Sequence, residues 1–552
     1  MRHDISGHEQ RYRYHGMLNP YMNMVKSHEG GCIERINKLL SNNPEVILIH
    51  ITDTYFIEES SVNEIIDLPG FARFCSMVDS IRSNPVVKKN KTSVLVLHGG
   101  DFLYPSLMSL YFQGRQMVDV LNLCGLNYCT LGNHDFDGGT NVLRARMSEA
   151  SFGIICANIK NPKKEKILEI SDYVIFGNNY TKPFAAITGV AGKATLRKAK
   201  KNGFVATASE TSLMKTISKI KKNHPEINYL IILSHMSNKE DVNLERWLVK
   251  NWDGYLCLLG GHDHNEVLRY DKKNPKSILL KGQSNCRTVQ IVGVPRKSDL
   301  KIGQFSRQVI IMNSAELAGF HPETKIQKRT MQWESDLERN GNKIESKKII
   351  KQFKTGTILD ATELQLRKGS TNFGNFVADC ILDFADSDIV FINSGHFRGD
   401  RKIGNVLRMS HLHQVFVLDK KDTLVKIIMT KKECIKFLRH AYSEEGRGKI
   451  LQVSKNIFKI LQESRLEDRL SVTMLWDMLK TNDDGFTAIL AQSRKSTVDN
   501  IVSELEKYII PNSSLFDVIK KSSKHVEYDP SMRISVEKIS VFLKDQILRS
   551  AP

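Results

Sequence analysis

Five short apolar runs in this chain each stop on a residue that can bind a cation or carry a proton. That repetition constrains the fold more than any other feature. Val46 to Ile51 runs into Thr52-Asp53, and Ser93 to His98 runs into Gly99-Gly100-Asp101. The mostly apolar stretch Val118 to Leu131 is followed by Gly132-Asn133-His134-Asp135-Phe136-Asp137. Tyr229 to Leu233 ends in Ser234-His235, and Gly254 to Leu259 ends in Gly260-Gly261-His262-Asp263-His264. Brief β-branched and aliphatic runs of this kind form strands buried on both faces. In layered α/β folds, ligands gather at the carboxyl ends of such strands. Between the first two runs, Gly70 to Ile81 places Phe71, Phe74, Met77, Val78 and Ile81 on one helical face. The pattern predicts an α/β domain whose strand ends converge on one site.

A chain of 552 residues is too long for a single core, so at least two domains are expected. Residues 1–44 read as an N-terminal extension with weak helical content near Cys32–Leu40. The first domain spans 45–313, with further strands at Gly153–Ala157, Phe184–Val190, Ile278–Gly282 and Val289–Val294. Residues 314–345 are charge-rich with little apolar periodicity and read as a linker. A smaller α/β unit over 346–492 holds a helix at Phe373–Phe384 and a strand at Ile389–Ile392. Residues 493–552 read as a helical C-terminal extension broken at Pro511 and Pro530.

No apolar run approaches the roughly 18–20 residues of a membrane-spanning helix. Met1 to Arg13 is polar and carries Asp4 and Glu9, unlike a secretory signal. Nine scattered cysteines contain no C-x-x-C pair, and Cys75, Cys124, Cys156 and Cys380 lie in apolar segments as small buried hydrophobes. The expectation is a reducing, cytoplasmic setting without a disulfide framework. The net charge of +19 is partly local: Lys160 to Lys222 holds 14 Lys and Arg against 4 acids. With little aromatic interleaving, this basic segment reads as solvated faces that draw anionic small molecules inward. Nucleic acid is the less favoured partner.

Asp53, Asp101, Asn133, His235, His262 and His264 supply mixed oxygen and nitrogen ligands, enough for two divalent metals that share one carboxylate. Two cations roughly 3.5–4 Å apart clamp a phosphoryl oxygen and activate a water. Imidazoles among the carboxylates favour Mn, Fe, Co or Zn over Mg. His134, beside Asp135, is placed to protonate or stabilise a leaving oxygen.

In order and spacing, these motifs resemble the five motifs of the calcineurin-like metallophosphoesterases. The resemblance implies a four-layer α/β/β/α domain with Asp53, Asp101 and His264 on one metal. Asp101, Asn133, His235 and His262 would hold the other, Asp101 bridging, with His134 and Asp135 as the catalytic pair. Asn372 to Asp379 resembles the N-x-G-N-x-x-A-D helix start of the 5′-nucleotidase C-terminal domain, and Asn393 to Arg398 its N-x-G-x-x-R loop. Leu451-Gln452-Val453-Ser454 and Asp484-Gly485-Phe486 resemble two later elements. By this resemblance the chain is a phosphomonoester hydrolase acting on 5′-nucleotides. Arg367 and Arg398 would bind phosphate, while Asn393 and Asp484 would contact the nucleoside.

Three departures bear on substrate choice. Tyr55 stands where the first motif usually has a metal-binding histidine. The two aromatic rings that stack on the base in the family are replaced, one at Val417-Leu418 and the other at Met478, with Trp476 two residues away as a substitute. Stacking is worth about 1–3 kcal/mol per base, so their loss would broaden selection. A glycine-rich loop has become Asn482-Asp483-Asp484-Gly485. The alternatives are therefore a phosphodiesterase or nucleotide-sugar hydrolase, or a degenerate phosphatase scaffold acting as a binding protein.

Overall fold

A computed structural model describes residues 31–529, apart from residue 63 and the segments 163–167, 178–182, 271–275, 296–307, 341–346, 417–422, 444–448 and 481–484. Arg533, Lys538 and Phe542 are described beyond them. Asp484, Val417 and Leu418 lie outside the described residues, as do residues 1–30 of the N-terminal extension.

The first domain is built on two stacked sheets. In the seven-stranded sheet the Val46–Ile51 strand is buried along its whole length. It runs parallel to Ser93–His98, with Val46 opposite Ser93 and Ile51 opposite His98. Tyr128–Cys129, Gly153–Ile155 and Ile170–Ser171 extend the parallel side, and the antiparallel strands Thr288–Val294 and Val309–Asn313 close the other edge. The six-stranded sheet is centred on the parallel strands Ala185–Ala191, Tyr229–His235 and Tyr255–Gly261. Their register sets Ala191, His235 and Gly261 side by side, so the second sheet delivers its chemistry level with its neighbours.

Leu48, Leu97, Ile187, Tyr229, Leu233 and Val292 fill the space between the sheets. Helices Gly70–Ser83 and Arg115–Leu123 cover the outside of the first sheet through Phe71, Phe74, Met117 and Val120. Ser209–Asn223 and Asn238–Asn251 cover the second through Leu213, Ile217, Leu244 and Leu248. These are the four layers expected from the resemblance.

Two segments differ from the sequence reading. Within 314–345 the structure forms a 17-residue helix, Thr324–Asn340. Ile326, Thr330 and Trp333 are buried. Trp333 Nε1 donates to Asp119 Oδ2 at 2.8 Å, and Arg329 Nε reaches the same carboxylate. The expected linker is thus a further helix on the first domain. Its apolar positions are few and diluted by charge, which hid the amphipathic pattern. In the second domain, a five-stranded sheet runs Leu451–Val453, Ile389–Asn393, Arg469–Leu475, Thr423–Thr430, Ile509–Ser514. The last of these belongs to the expected extension beyond 492. It pairs with Thr423–Thr430, and the following helix, Leu515–Ser522, buries Leu515, Val518 and Ile519 against the core that holds Phe373 and Phe376. A strand rich in polar residues carries little signal until its partner is known.

Cys75 and Cys124, read as free buried thiols, are joined by a disulfide that ties Gly70–Ser83 to the end of Arg115–Leu123. Cys129, Cys156, Cys257, Cys286, Cys380 and Cys434 are free and buried. No helix among the described residues is long and apolar enough to cross a membrane.

Candidate active site

The strand ends converge as the sequence implied, and they do so in strained backbone. Asp53, Asp101, His262 and His264 all have positive φ, at 51°, 60°, 88° and 54°. Each such non-glycine residue costs on the order of 1–3 kcal/mol, held by the surrounding packing. Of the fourteen described non-glycine residues with positive φ, four are candidate ligands. Two glycines allow the close approach. A Cβ on Gly132 would overlap the Asp101 carboxylate, and one on Gly261 would overlap Thr52 and reach to 2.7 Å from Asp53 Oδ2.

Asp101, His235 and His262 present ligand atoms within 4.8 Å of one another. His235 Nδ1 meets the Gly99 carbonyl at 2.8 Å, which leaves Nε2 turned to Asp101 Oδ2 at 3.1 Å. Burial alone would lower His235, but the Asp101 charge and hydrogen bond push it up to about 10. Burial lowers His262 to about 4, so that imidazole is neutral and ready to ligate. Asn133 Oδ1 is buried without a hydrogen-bond partner. A buried amide oxygen is rarely left so, and a cation ligand is the role that fits it. Asp53 Oδ1 lies 3.1 Å from His264 Nε2, and Tyr55 Oη lies 2.9 Å from that nitrogen and 3.3 Å from Asp53 Oδ1. Burial, reinforced by Asp53, Asp101 and Glu363, holds the Tyr55 phenol well above its ordinary value, so it is protonated. Asp101, His235 and His262, with the Asn133 amide oxygen, fit a divalent cation, and Asp53, Tyr55 and His264 form a second cluster of donor atoms.

Asp137, rather than Asp135, partners the His134 imidazole. His134 Nδ1 lies 2.6 Å from Asp137 Oδ2, and the other Asp137 oxygen pairs with Lys198. Burial works to raise Asp137, but His134 and Lys198 hold it below the usual carboxylate range. Asp135 has a different task. Its Oδ2 accepts the N–H groups of Asp101 and Gly132 at 3.0 and 2.8 Å, and its Oδ1 those of Phe102 and Leu103 at 2.9 and 3.1 Å. Asp135 therefore ties the loop that carries Asp101 to the loop that carries Asn133 and His134. A residue one place along from His134 points away from its ring, whereas Asp137 returns to it across one 3₁₀ turn, His134–Phe136. The His134 N–H also donates to Asp101 Oδ1 at 2.7 Å.

Lys281 and Glu363, which the sequence did not single out, join Arg367, Arg398 and Asn393, which it did. Lys281, 1% exposed, sits 2.8 Å from Asp241 and 3.7 Å from Asp263, and so fixes the turn between His262 and His264. From the second domain, Glu363 meets His264 Nδ1. Arg367 donates from Nη1 to the Asp263 carbonyl at 3.1 Å, and the Arg398 charge acts on both Tyr55 and Glu363. Arg398 Nε is buried without a hydrogen-bond partner. Asn393, 4% exposed, ends the Ile389–Asn393 strand. Trp476 does not join the site. At 8% exposure it is packed with Met478 in the core of the second domain.

Residues 47–266 match the calcineurin-like phosphoesterase family and residues 350–482 match the 5′-nucleotidase C-terminal domain. This chain belongs to the calcineurin-like phosphoesterases, in the branch that carries a 5′-nucleotidase C-terminal domain. It is 24% identical over 413 residues to the trifunctional nucleotide phosphoesterase protein YfkN of Bacillus subtilis, covering 67% of this chain and 27% of that one. It is 29% identical over 197 residues to a snake venom 5′-nucleotidase of Gloydius brevicauda, covering 35% and 31% of the two chains. The matched regions thus span about a third or less of these relatives' own length. The crystal structure of a 5′-nucleotidase precursor from Thermus thermophilus superposes with a TM-score of 0.62 at 17% identity, covering 89% of this chain and 99% of that one, and has the same fold.

Proposed function

We propose that this chain hydrolyses phosphate monoesters with two divalent cations, and that 5′-nucleotides are its leading substrate class. The observation that carries the reading is the cluster of Asp101, His235 and His262 beside an imidazole, His134, that has its own carboxylate. Asp53, Tyr55, Asp101 and His264 would hold one cation. Asp101, Asn133, His235 and His262 would hold the other, with Mn, Fe, Co or Zn favoured by the imidazoles. When bound, the cations supply positive charge for phosphoryl oxygens and make a water acidic enough to attack.

The chain's own groups supply the rest. Arg398, with its unpartnered Nε, would grip the non-reacting phosphate oxygens as a guanidinium fork does. His134, 13% exposed at its side chain, would hold a proton on Nε2 against the leaving oxygen while Asp137 steadies Nδ1. Docking of the second domain over the strand ends would exclude bulk water. The names of the relatives, a nucleotide phosphoesterase and a 5′-nucleotidase, support nucleotides as substrates.

One observation favours a wider reading. With Trp476 and Met478 in the core, neither offers a ring to stack on a base, so phosphodiesters and nucleotide-sugars belong in the same assay. The test is phosphate release from a panel of mononucleotides, simple monoesters, diesters and nucleotide-sugars with Mn, Co and Zn in turn. Metal-dependent release from 5′-nucleotides, abolished by His134→Ala in a folded protein, is the expected result. No release from any nucleotide or monoester refutes the reading; release from diesters or nucleotide-sugars alone supports the wider one, and none from any member of the panel leaves the phosphatase domain as a binding scaffold.

A further inference from the structure

The first domain does not complete its own metal site. His264 faces Asp53 and Tyr55 through Nε2, at 3.1 and 2.9 Å, so Nε2 is the nitrogen available for a cation. Its other nitrogen, Nδ1, meets Glu363 Oε2, a carboxylate 99 residues further along the chain and carried by the second domain. Glu363 is 4% exposed and firmly held. Its N–H donates to Asp400 Oδ1 at 3.0 Å, and Ser284 Oγ approaches its carboxylate at 3.4 Å. Asp400 accepts from Asn285 Nδ2 at 2.8 Å and Arg287 Nε at 2.9 Å, and Asn285 Oδ1 accepts the N–H of Tyr55 at 2.8 Å. The segments that carry Tyr55, His264 and Glu363 are therefore tied into one buried network across the domain boundary.

The chemistry of an imidazole ligand gives this contact a meaning. A histidine that binds a cation through Nε2 carries its proton on Nδ1, and that proton needs an acceptor to fix the tautomer and the ring plane. Glu363 is the acceptor in reach. Arg367 Nη2 also lies 3.2 Å from Nδ1, but a guanidinium only donates. Beside a protonated Nδ1 its partners are the Asp263 carbonyl and Glu363 itself, at 3.1 and 3.5 Å. Because Tyr55 offers a phenol oxygen, His264 is the single nitrogen donor at this position, and its orientation matters more than it would beside a second imidazole.

We propose that Glu363 is a positioning residue for the cation held by Asp53, Tyr55, Asp101 and His264, so that this metal position is built from both domains. The inference rests on the two-cation reading above. Its test is Mn(II) titration of the full chain, followed by calorimetry and by the electron paramagnetic resonance signal of free Mn(II). Glu363→Leu removes the acceptor, and Glu363→Gln keeps one without the charge. The wild-type chain takes up two equivalents. Glu363→Leu weakens one of them by about 10–100-fold, the usual cost of losing such a partner. Glu363→Gln restores part of that loss, and the second equivalent, away from Glu363, is unchanged in both. If the leucine variant does not fold, the glutamine variant decides, with about a threefold or greater loss at one equivalent expected. Wild-type affinity at both equivalents overturns the proposal, as does equal weakening of both. A wild-type chain that takes up no Mn(II) removes the two-cation reading itself, and the proposal with it.

Discussion

Asparagine placed separately at Asp137 and at Asp135 distinguishes two carboxylates that stand two residues apart. Asp137→Asn removes the charge that faces His134 Nδ1 at 2.6 Å, where the His134 and Asp137 side chains are each 13% exposed in the wild-type chain. At an effective dielectric of about 20, a carboxylate attracts an imidazolium at this range by roughly 5 kcal/mol. Part of that is met by solvent and by Lys198, so about 3–4 kcal/mol falls on the protonated imidazole. At 1.36 kcal/mol per decade this is a loss of about 10²–10³ in kcat. KM should move little and the unfolding temperature by about a degree or two at most.

Asp135→Asn acts on the fold instead. An amide keeps one oxygen for two of the four N–H groups that Asp135 accepts and turns an NH₂ towards the other two. Each buried donor left without an acceptor costs about 1–3 kcal/mol, so the variant should lose roughly 3–5 kcal/mol, or about 10 °C in Tm. The assays are kcat and KM for phosphate release, with thermal unfolding followed by circular dichroism. Wild-type kcat in Asp137→Asn refutes the assignment of Asp137. So does an Asp135→Asn protein of unchanged Tm that is as inactive as His134→Ala.

Two further outcomes follow from the same kinds of contact. Lys198 is 43% exposed at its side chain, so its hold on Asp137 is partly screened; Lys198→Met should lower kcat about three- to tenfold, Lys198→Arg should restore it, and neither should change a chain that already carries Asp137→Asn. His411 is lowered to about 4 by burial and by Arg401 and Arg408, and its Nδ1 accepts the Arg408 N–H at 3.2 Å. The unfolded chain therefore binds a proton below about pH 6.5 that the folded chain refuses. The stability His411 contributes is full above that pH and is lost as pH falls towards 4. Between about pH 6.5 and pH 5 the loss is at most about 2 kcal/mol. Thermal unfolding at both pH values should show a smaller acid-induced drop in His411→Asn, and an equal drop would refute it.

Much of the fold was legible because strand burial and helix faces leave local marks. The runs ending at Asp53, Asp101, His235 and His262 form the parallel strands they suggested, and the helix expected over Gly70–Ile81 spans Gly70–Ser83. Residue type and spacing also singled out Asp101, His235 and His262, whose donor atoms the fold brings within 4.8 Å of one another. The helix over Thr324–Asn340 and the strand over Ile509–Ser514 were not legible, since each depends on a partner surface far away in the chain. The disulfide between Cys75 and Cys124 was hidden for the same reason: two buried cysteines look alike whether or not they meet.

What the sequence determined by itself was the set of groups: which residues can bind cations, that an imidazole stands beside them, and that a second domain follows. What the tertiary structure decided was who faces whom. It gave His134 to Asp137, set Asp135 to hold two loops, took Trp476 into the core and brought Glu363 to His264. The physical reason is range. A ligand's chemistry belongs to its own side chain, whereas the direction of a proton or a charge depends on contacts that only the closed fold brings within about 3 Å of each other.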